Sequence, residues 1–130
     1  MQFTKWKYLA CAALAVSLWG CSRDDRPELG MVRGRVTMDG KPLSHVTVSF
    51  RPIGGGRQSC GDTDDDGRYE LTYIRDILGA KLGNHRVTVG PSDLVPSPKK
   101  RIPERYNAKT TLEAEVHAGE NEFDFALMRN

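Results

Sequence analysis

The chain has 130 residues, 28% of them charged, and a formal net charge of +2. A length of this order fits one small domain with a single core. A charge this close to zero lacks the strongly basic face that nucleic acids require, so we expect no nucleic-acid partner.

The first 20 residues have the pattern of an export signal rather than of a folded domain. Lys5 and Lys7 make the start positive, and residues 8–19 carry no charge. A basic start followed by a short apolar run is typical of a secretory signal peptide, and the run is short for a membrane-spanning helix, which needs about 20 residues. Removal of residues 1–20 would leave 17 basic and 17 acidic side chains, a neutral protein.

The end of this segment, Leu18-Trp19-Gly20-Cys21, resembles the lipobox of bacterial lipoproteins. The resemblance implies cleavage between Gly20 and Cys21, lipidation of Cys21 with palmitate-type acyl chains, and attachment to a membrane of the cell envelope. Trp19 departs from the small residue that is usual at its position, and an uncleaved membrane anchor is the alternative. Ser22 is not the Asp that retains such proteins at the inner membrane, so the resemblance favours the outer membrane.

Residues 21–30 are polar and charged, which predicts a flexible tether between the lipid and a domain at 31–130. Beyond Cys21 the sequence has one further cysteine, Cys60, so no internal disulfide can form. No histidine lies near Cys60 in sequence, and we interpret this thiol as structural rather than catalytic.

Two alternating runs flank Asp39-Gly40. Their apolar residues share even-numbered positions: Val32, Val36, Met38, Val46, Val48 and Phe50. Period-two alternation predicts half-buried strands, and Asp-Gly is typical of a tight turn. The two runs are therefore predicted to form a hairpin or a close pair that crosses between sheets.

Three strings resemble the carboxypeptidase regulatory-like domain and related lipoproteins. Residues 34–50 read G-x-V-x-x-x-G-K-P-L-x-x-V-x-V-x-F, residues 63–71 read T-D-x-x-G-x-Y-x-L in outline, and residues 102–106 read I-P-x-x-Y. The resemblance covers roughly Met31 to Leu127 and implies a transthyretin-like (prealbumin-like) β-sandwich. In metallocarboxypeptidases this domain is an appendage without the zinc centre, so the resemblance implies no catalysis.

Asp62, Asp64, Asp66 and Gly67 match the start of an EF-hand calcium loop. Tyr73 stands where the closing bidentate glutamate belongs, and an alternating strand follows instead of a helix. We therefore favour a side-chain-capped turn over a calcium site and expect no cofactor.

The sequence contains no convincing catalytic pattern. His117 and Glu120 have H-x-x-E spacing, but they straddle a turn and lack a third zinc ligand downstream. His85 alternates with Val87 and Val89, which predicts a half-buried packing residue with a hydrogen-bond partner. We expect no enzyme.

The remaining segments complete an all-β assignment: an antiparallel sandwich of about seven strands. We expect a short edge strand at Gln58–Gly61, a loop or helical turn at Ile74–Leu82, a strand at Asn84–Val89, a proline-rich loop at Gly90–Thr110 that Ile102 and Tyr106 pin to the sandwich, and strands at Leu112–His117 and Phe123–Met128.

These patterns predict a monomeric, non-catalytic, lipid-anchored envelope protein with a structural or protein-contact role. The alternative is a carbohydrate-binding module, which would need exposed aromatic rings to stack on sugars. Alternation disfavours that alternative, because it leaves only Tyr106 free and assigns the other aromatic residues after Cys21 to the core: Phe50, Tyr69, Tyr73, Phe123 and Phe125.

Overall fold

A computed structural model describes residues 26–92, 94 and 102–130. These residues fold into twelve strands arranged in two sheets, which confirms the all-β sandwich. The expected signal peptide at 1–20 and the expected lipidation site Cys21 lie outside the described residues, as does part of the proline-rich loop. Within the described ranges, no helix is long and apolar enough to cross a membrane.

The first sheet is built around β1 (Leu29–Met38), which has pairing partners on both sides. Its antiparallel partners are β2 (Lys41–Pro42), β5 (Arg68–Glu70) and β8 (Ala80–Lys81), and its parallel partners are β11 (Glu120–Glu122) and β12 (Phe125–Leu127). The end of the described chain therefore pairs with its beginning, and these two parallel pairs join an otherwise antiparallel fold.

The second sheet is antiparallel throughout. Its strands lie in the order β10 (Glu113–Val116), β9 (Gly83–Pro91), β3 (Val46–Pro52), β4 (Ser59–Asp62), β6 (Thr72–Ile74) and β7 (Ile77–Leu78). The prediction of an edge strand near residues 58–61 is wrong in position, because β4 pairs with β3 on one side and β6 on the other.

The two alternating runs around Asp39-Gly40 lie in different sheets. Asp39 (φ 52°) and Gly40 (φ 83°) make a two-residue turn from β1 into β2, as expected where both central residues need positive φ. β3 then starts the second sheet, so the crossing-pair alternative holds and the simple hairpin between the two long runs does not. The alternation itself is confirmed, since Val36, Val46 and Val48 are completely buried.

The chain crosses between the sheets at Leu71 and again at Gly79. β5 pairs with β1 and β6 with β4, whereas β7 pairs with β6 and β8 returns to β1. The expected loop or helical turn at 74–82 is therefore wrong: this segment contributes β7 and β8. Such crossings divide long runs into short strands, which is why the strands outnumber the expected seven.

The core lies between the sheets and is centred on Phe50. Its ring is 5.8 Å from that of Phe123 and 6.2 Å from that of Phe125, centroid to centroid. These two residues belong to the closing segment, residues 123–127, which pairs with β1, so one side chain of the second sheet contacts the last strand of the first. Ile102 and Tyr106 pack against the rim of the core, as expected for residues that pin the long loop. A 3-10 turn at Glu104–Tyr106 carries the latter.

Candidate functional site

The described chain begins close to the expected lipidation site. β1 starts at Leu29, inside the segment 21–30 that was expected to be a tether. The backbone N–H of Leu82 donates to the carbonyl of Glu28 at 3.3 Å, and Leu29 pairs with Lys81. The entry of the chain into the fold is thus tied to the β8–β9 corner.

A broad charged groove of about 830 Å³ lies along the outer face of the first sheet. Its charged lining residues are three arginines and five acids, namely Arg33, Arg35, Arg68, Asp62, Asp64, Glu70, Glu122 and Asp124. The arginines at 33 and 35 alternate with inward residues along β1, which places both on the solvent side. The groove therefore presents both signs of charge on a rigid strand surface.

Several carboxylates of this groove accept hydrogen bonds from other parts of the fold. Asp64 Oδ1 accepts from the N–H groups of Asp66 and Arg68, each at 2.9 Å, and Asp124 Oδ1 accepts from the N–H of Arg35 at 2.9 Å. Asp62 accepts from the hydroxyl of Thr47 at 2.5 Å. These acids act first as structural acceptors, which reduces what they offer to a reaction or a metal.

The Asp62–Gly67 segment has the geometry of a capped turn. Gly67 takes φ 77° and donates its N–H to the carbonyl of Asp64 at 3.0 Å, and the carboxylate of Asp64 caps the turn as described above. A carboxylate occupied by two N–H donors is a weaker cation ligand, because its lone pairs already point at the backbone. Within residues 26–92, 94 and 102–130, no group of three or more His, Cys, Asp and Glu side chains is placed to hold a metal ion.

The side chain of Tyr69 places a buried hydroxyl group beneath the same groove. Its O–H donates to the carbonyl of Phe123 at 2.7 Å, and its side chain lies against Gly34 of the neighbouring strand. Burial, and secondarily the negative charges of Asp124 and Glu122, raise the pKa of this phenol well above its usual range. The hydroxyl is therefore a fixed donor that links β5 to the closing segment, not an acid–base group.

The three histidines lie in separate places. His85 is fully buried and its Nε2 lies 2.6 Å from the carbonyl of Lys81, so it is a packing residue with a partner, more deeply buried than predicted. His45 lies 3.4 Å from a carboxylate oxygen of Asp65, and His117 lies 3.9 Å from one of Glu115.

Cys60 sits on β4, partly buried, and its Sγ is 3.4 Å from the hydroxyl of Ser49. The thiol has a hydroxyl neighbour rather than an imidazole, which is the environment expected for a structural cysteine.

A second groove, which we call the N-terminal groove, lies where the described chain begins. It has a volume of about 540 Å³ and is lined by Arg26, Pro27, Arg57, Tyr73, Ile74, Arg75 and Ile77. Apolar side chains form its floor, and the arginines are the only ionisable side chains in this lining besides the phenol of Tyr73.

Tyr73 departs from the core position that alternation predicted for it: it is half-buried and lines the N-terminal groove. Tyr106, equally half-buried, packs against the core as expected of a residue that pins the long loop. The prediction for Tyr73 fails because β5 and β6 belong to different sheets, so the parity that buries Tyr69 does not carry across Leu71 to Tyr73. Alternation in the sequence could not predict this groove, because its lining residues come from segments that are distant in the chain.

No protein-family model matches this sequence, and no curated protein sequence is similar to it. Among solved structures, a DUF3823 family protein from Parabacteroides merdae ATCC 43184 matches with a TM-score of 0.47 and 14% identity, over 78% of this chain. The match spans 46% of that protein's length.

Proposed function

We propose that this protein is a non-catalytic envelope lipoprotein, held at a membrane by acyl chains on Cys21, whose β-sandwich acts through contacts with other proteins. The observation that carries the proposal is the lipobox-like ending Trp19-Gly20-Cys21 directly ahead of an all-β domain. Two or three acyl chains hold a protein stably at a membrane, whereas one does so weakly.

The start of the fold supports a short attachment. Seven residues separate Cys21 from Leu29, the first residue of β1. An extended chain spans at most about 3.5 Å per residue, so the domain begins within roughly 30 Å of the lipid. Such a protein works at the membrane surface, and the three strings that resemble regulatory-like, transthyretin-like domains support a role without chemistry of its own.

The charged groove on the first sheet supports protein contact. Interfaces that place both signs of charge in fixed positions select partners by electrostatic complementarity. Arg33 and Arg35 project from a ten-residue strand that has partners on both sides, so the surface is rigid before a partner arrives.

The lipid anchor is tested with the full chain carrying Cys21→Ser. We expect the wild-type protein to fractionate with membranes and to carry a palmitate-type label, and the variant to lose the label and to accumulate uncleaved. Cys60→Ser is the matched control, because it removes the other thiol of the mature chain and should leave both properties intact. A Cys21→Ser protein that is cleaved and stays with membranes as wild type does would refute the lipid anchor.

A carbohydrate-binding role is the second candidate, and Tyr73 is the observation that favours it. Its half-buried ring lines an open groove, where it could stack on a sugar face. Loss of binding to cell-wall polysaccharide in Tyr73→Ala, with retention in Tyr106→Ala, would establish it. We place it second because Arg57 and Arg75 on the same groove suit an anion better than a neutral ring.

A further inference from the structure

We propose that the N-terminal groove docks the domain onto the anionic lipid surface to which Cys21 attaches it. The inference rests on the proposed lipid anchor and adds an orientation to it: one end of the sandwich faces the membrane. It is carried by the place where the described chain begins, by the charge around the groove and by its apolar floor.

The chain enters the fold at this groove. Arg26 and Pro27, the first two described residues, line it together with side chains of β6 and β7. Four residues separate Arg26 from Cys21, and at about 3.5 Å per residue the acylated cysteine cannot lie more than roughly 18 Å away. The lipid therefore holds this end of the sandwich, and not the opposite one, next to the bilayer.

The charge around the groove complements anionic head groups. Arg57 is held in place by its Nε, which donates to the carbonyl of Tyr73 at 3.1 Å. Arg75 stands at the tip of the β6–β7 hairpin, and Arg26 lines the entry. Among the described residues, the acids next to these arginines in the chain are Glu28 and Asp76, both exposed; Asp24 and Asp25 precede Arg26 outside the described residues. Within the part of the chain that the structure describes, the lining of the groove itself contains three arginines and no carboxylate. A basic cluster next to a membrane anchor is attracted by the negative surface potential of the leaflet.

The floor of the groove suits the boundary between head groups and acyl chains. Ile74 and Ile77 face each other across the hairpin, and Tyr73 adds a ring with a polar tip. A surface that combines tyrosine and isoleucine with arginine settles at this boundary, because its apolar side chains enter the acyl-chain region while its charges stay among the head groups.

At Arg75 the charge can be removed without destabilising the fold, so an effect on docking can be told apart from an effect on stability. Arg75 has φ 48° in a two-residue turn, a conformation that glycine adopts more easily than any other residue. Arg75→Gly should therefore fold at least as well as the wild type while removing a charge from the rim of the groove. A loss of docking in such a variant cannot be attributed to a damaged fold.

The test uses the lipidated protein purified from cells that express the full chain, with one tryptophan as a probe. Both native tryptophans, Trp6 and Trp19, lie in the segment expected to be removed. Tyr73→Trp places the probe in the groove. Tyr106→Trp is the matched control at the far end of β1, where Tyr106 accepts from the N–H of Met128 and which is about 30 Å away at the usual rise of a strand.

The proteins are reconstituted into vesicles of phosphatidylcholine alone or of equal parts phosphatidylcholine and phosphatidylglycerol, with brominated acyl chains as quenchers. We expect strong quenching at position 73 in the anionic vesicles, less in the neutral vesicles, and little at position 106 in either. Each basic side chain near an anionic surface strengthens association roughly five-fold, so Arg75→Gly alone should weaken docking about five-fold, and together with Arg57→Gln about 25-fold. Arg51→Gln with Arg86→Gln removes the same charge from the outer face of the second sheet and should leave quenching unchanged.

The outcomes separate this inference from the proposed anchor. Mass spectrometry that finds no acyl chain on Cys21 refutes the anchor. An acylated, vesicle-bound protein whose position 73 is quenched no more than position 106 refutes the docking while the anchor stands. Tryptophan emission at position 73 that is unchanged by lipid but changes with soluble cell-wall oligosaccharide would refute docking to lipid and assign the groove to the oligosaccharide. A cross-link from this position to an envelope protein would likewise assign the groove to that protein.

Discussion

Gly34 shows how one missing side chain holds the first sheet together. A Cβ added at this position would lie 1.8 Å from the carbonyl oxygen of Phe123 and 3.0 Å from a ring carbon of Tyr69. The closing segment reaches β1 only because nothing occupies that space. The apparent gap in the alternation of the first run is therefore a contact site for the end of the chain.

We expect Gly34→Ala to destabilise the domain by about 2–4 kcal/mol, because the closing segment must move or the sheet must distort. Thermal or chemical unfolding of the chain without residues 1–20 measures the change. Gly54→Ala is the control: apart from Gly54 and its two chain neighbours, no atom of the described residues lies within 4 Å of the place that the added methyl group would take. The free energy of unfolding of this variant should change by less than about 0.5 kcal/mol. Equal behaviour of the two variants would contradict the close approach.

Tyr69 predicts a pH dependence at the alkaline end. Its pKa is raised in the folded state by burial and by the nearby acids, so above the unfolded value of about 10 the folded state holds a proton that the unfolded state has released. The unfolded state then binds fewer protons, and stability must fall as pH rises. The slope from this group is about 1.4 kcal/mol per pH unit.

The comparison of wild type with Tyr69→Phe isolates this effect. At neutral pH the variant should lose about 1 kcal/mol, because the carbonyl of Phe123 loses its donor. Above pH 10 the two unfolding free energies should converge and then cross, while lysines and arginines titrate alike in both proteins. A constant difference across the alkaline range would show that the hydroxyl is not buried as described.

At the scale of elements, the Asp62–Gly67 turn positions β5 for its crossing. Asp64→Ala removes the acceptor of two backbone N–H groups and should cost about 1–2 kcal/mol. Asp66→Ala is the matched control, because Asp66 contributes its backbone carbonyl to Arg35 rather than a capping carboxylate. A melting temperature of the wild type that rises with micromolar calcium, and not in Asp64→Ala, would mean that this loop binds the ion.

For the whole molecule, the decisive feature is that β11 and β12 pair with β1. The register joins Met31 to Glu120 and Met38 to Leu127, contacts that span nearly the entire domain. Such long-range pairing forms only after a costly loop closure and makes the two ends interdependent.

Removal of residues 120–130 should therefore abolish cooperative folding, since it strips one side of β1 and takes Phe123 and Phe125 away from Phe50. Thermal unfolding followed by circular dichroism should show no cooperative transition for this deletion. Removal of Arg129 and Asn130 alone serves as control and should leave the transition in place, because it deletes one exposed hydrogen bond to Asp39. A folded 120–130 deletion would mean that the antiparallel strands suffice.

The sequence by itself determined the all-β class, the inward face of each long strand, the Asp39-Gly40 turn and the capped turn before β5. Each depends on neighbours within a few residues, where period-two alternation and turn chemistry act directly. The tertiary structure alone decided that the chain crosses between sheets at Leu71 and Gly79, that Tyr73 lines a groove instead of the core, and that the first and last strands pair in parallel. Parity holds only while a strand stays in one sheet, and pairing between distant segments depends on a packing geometry that no local pattern contains.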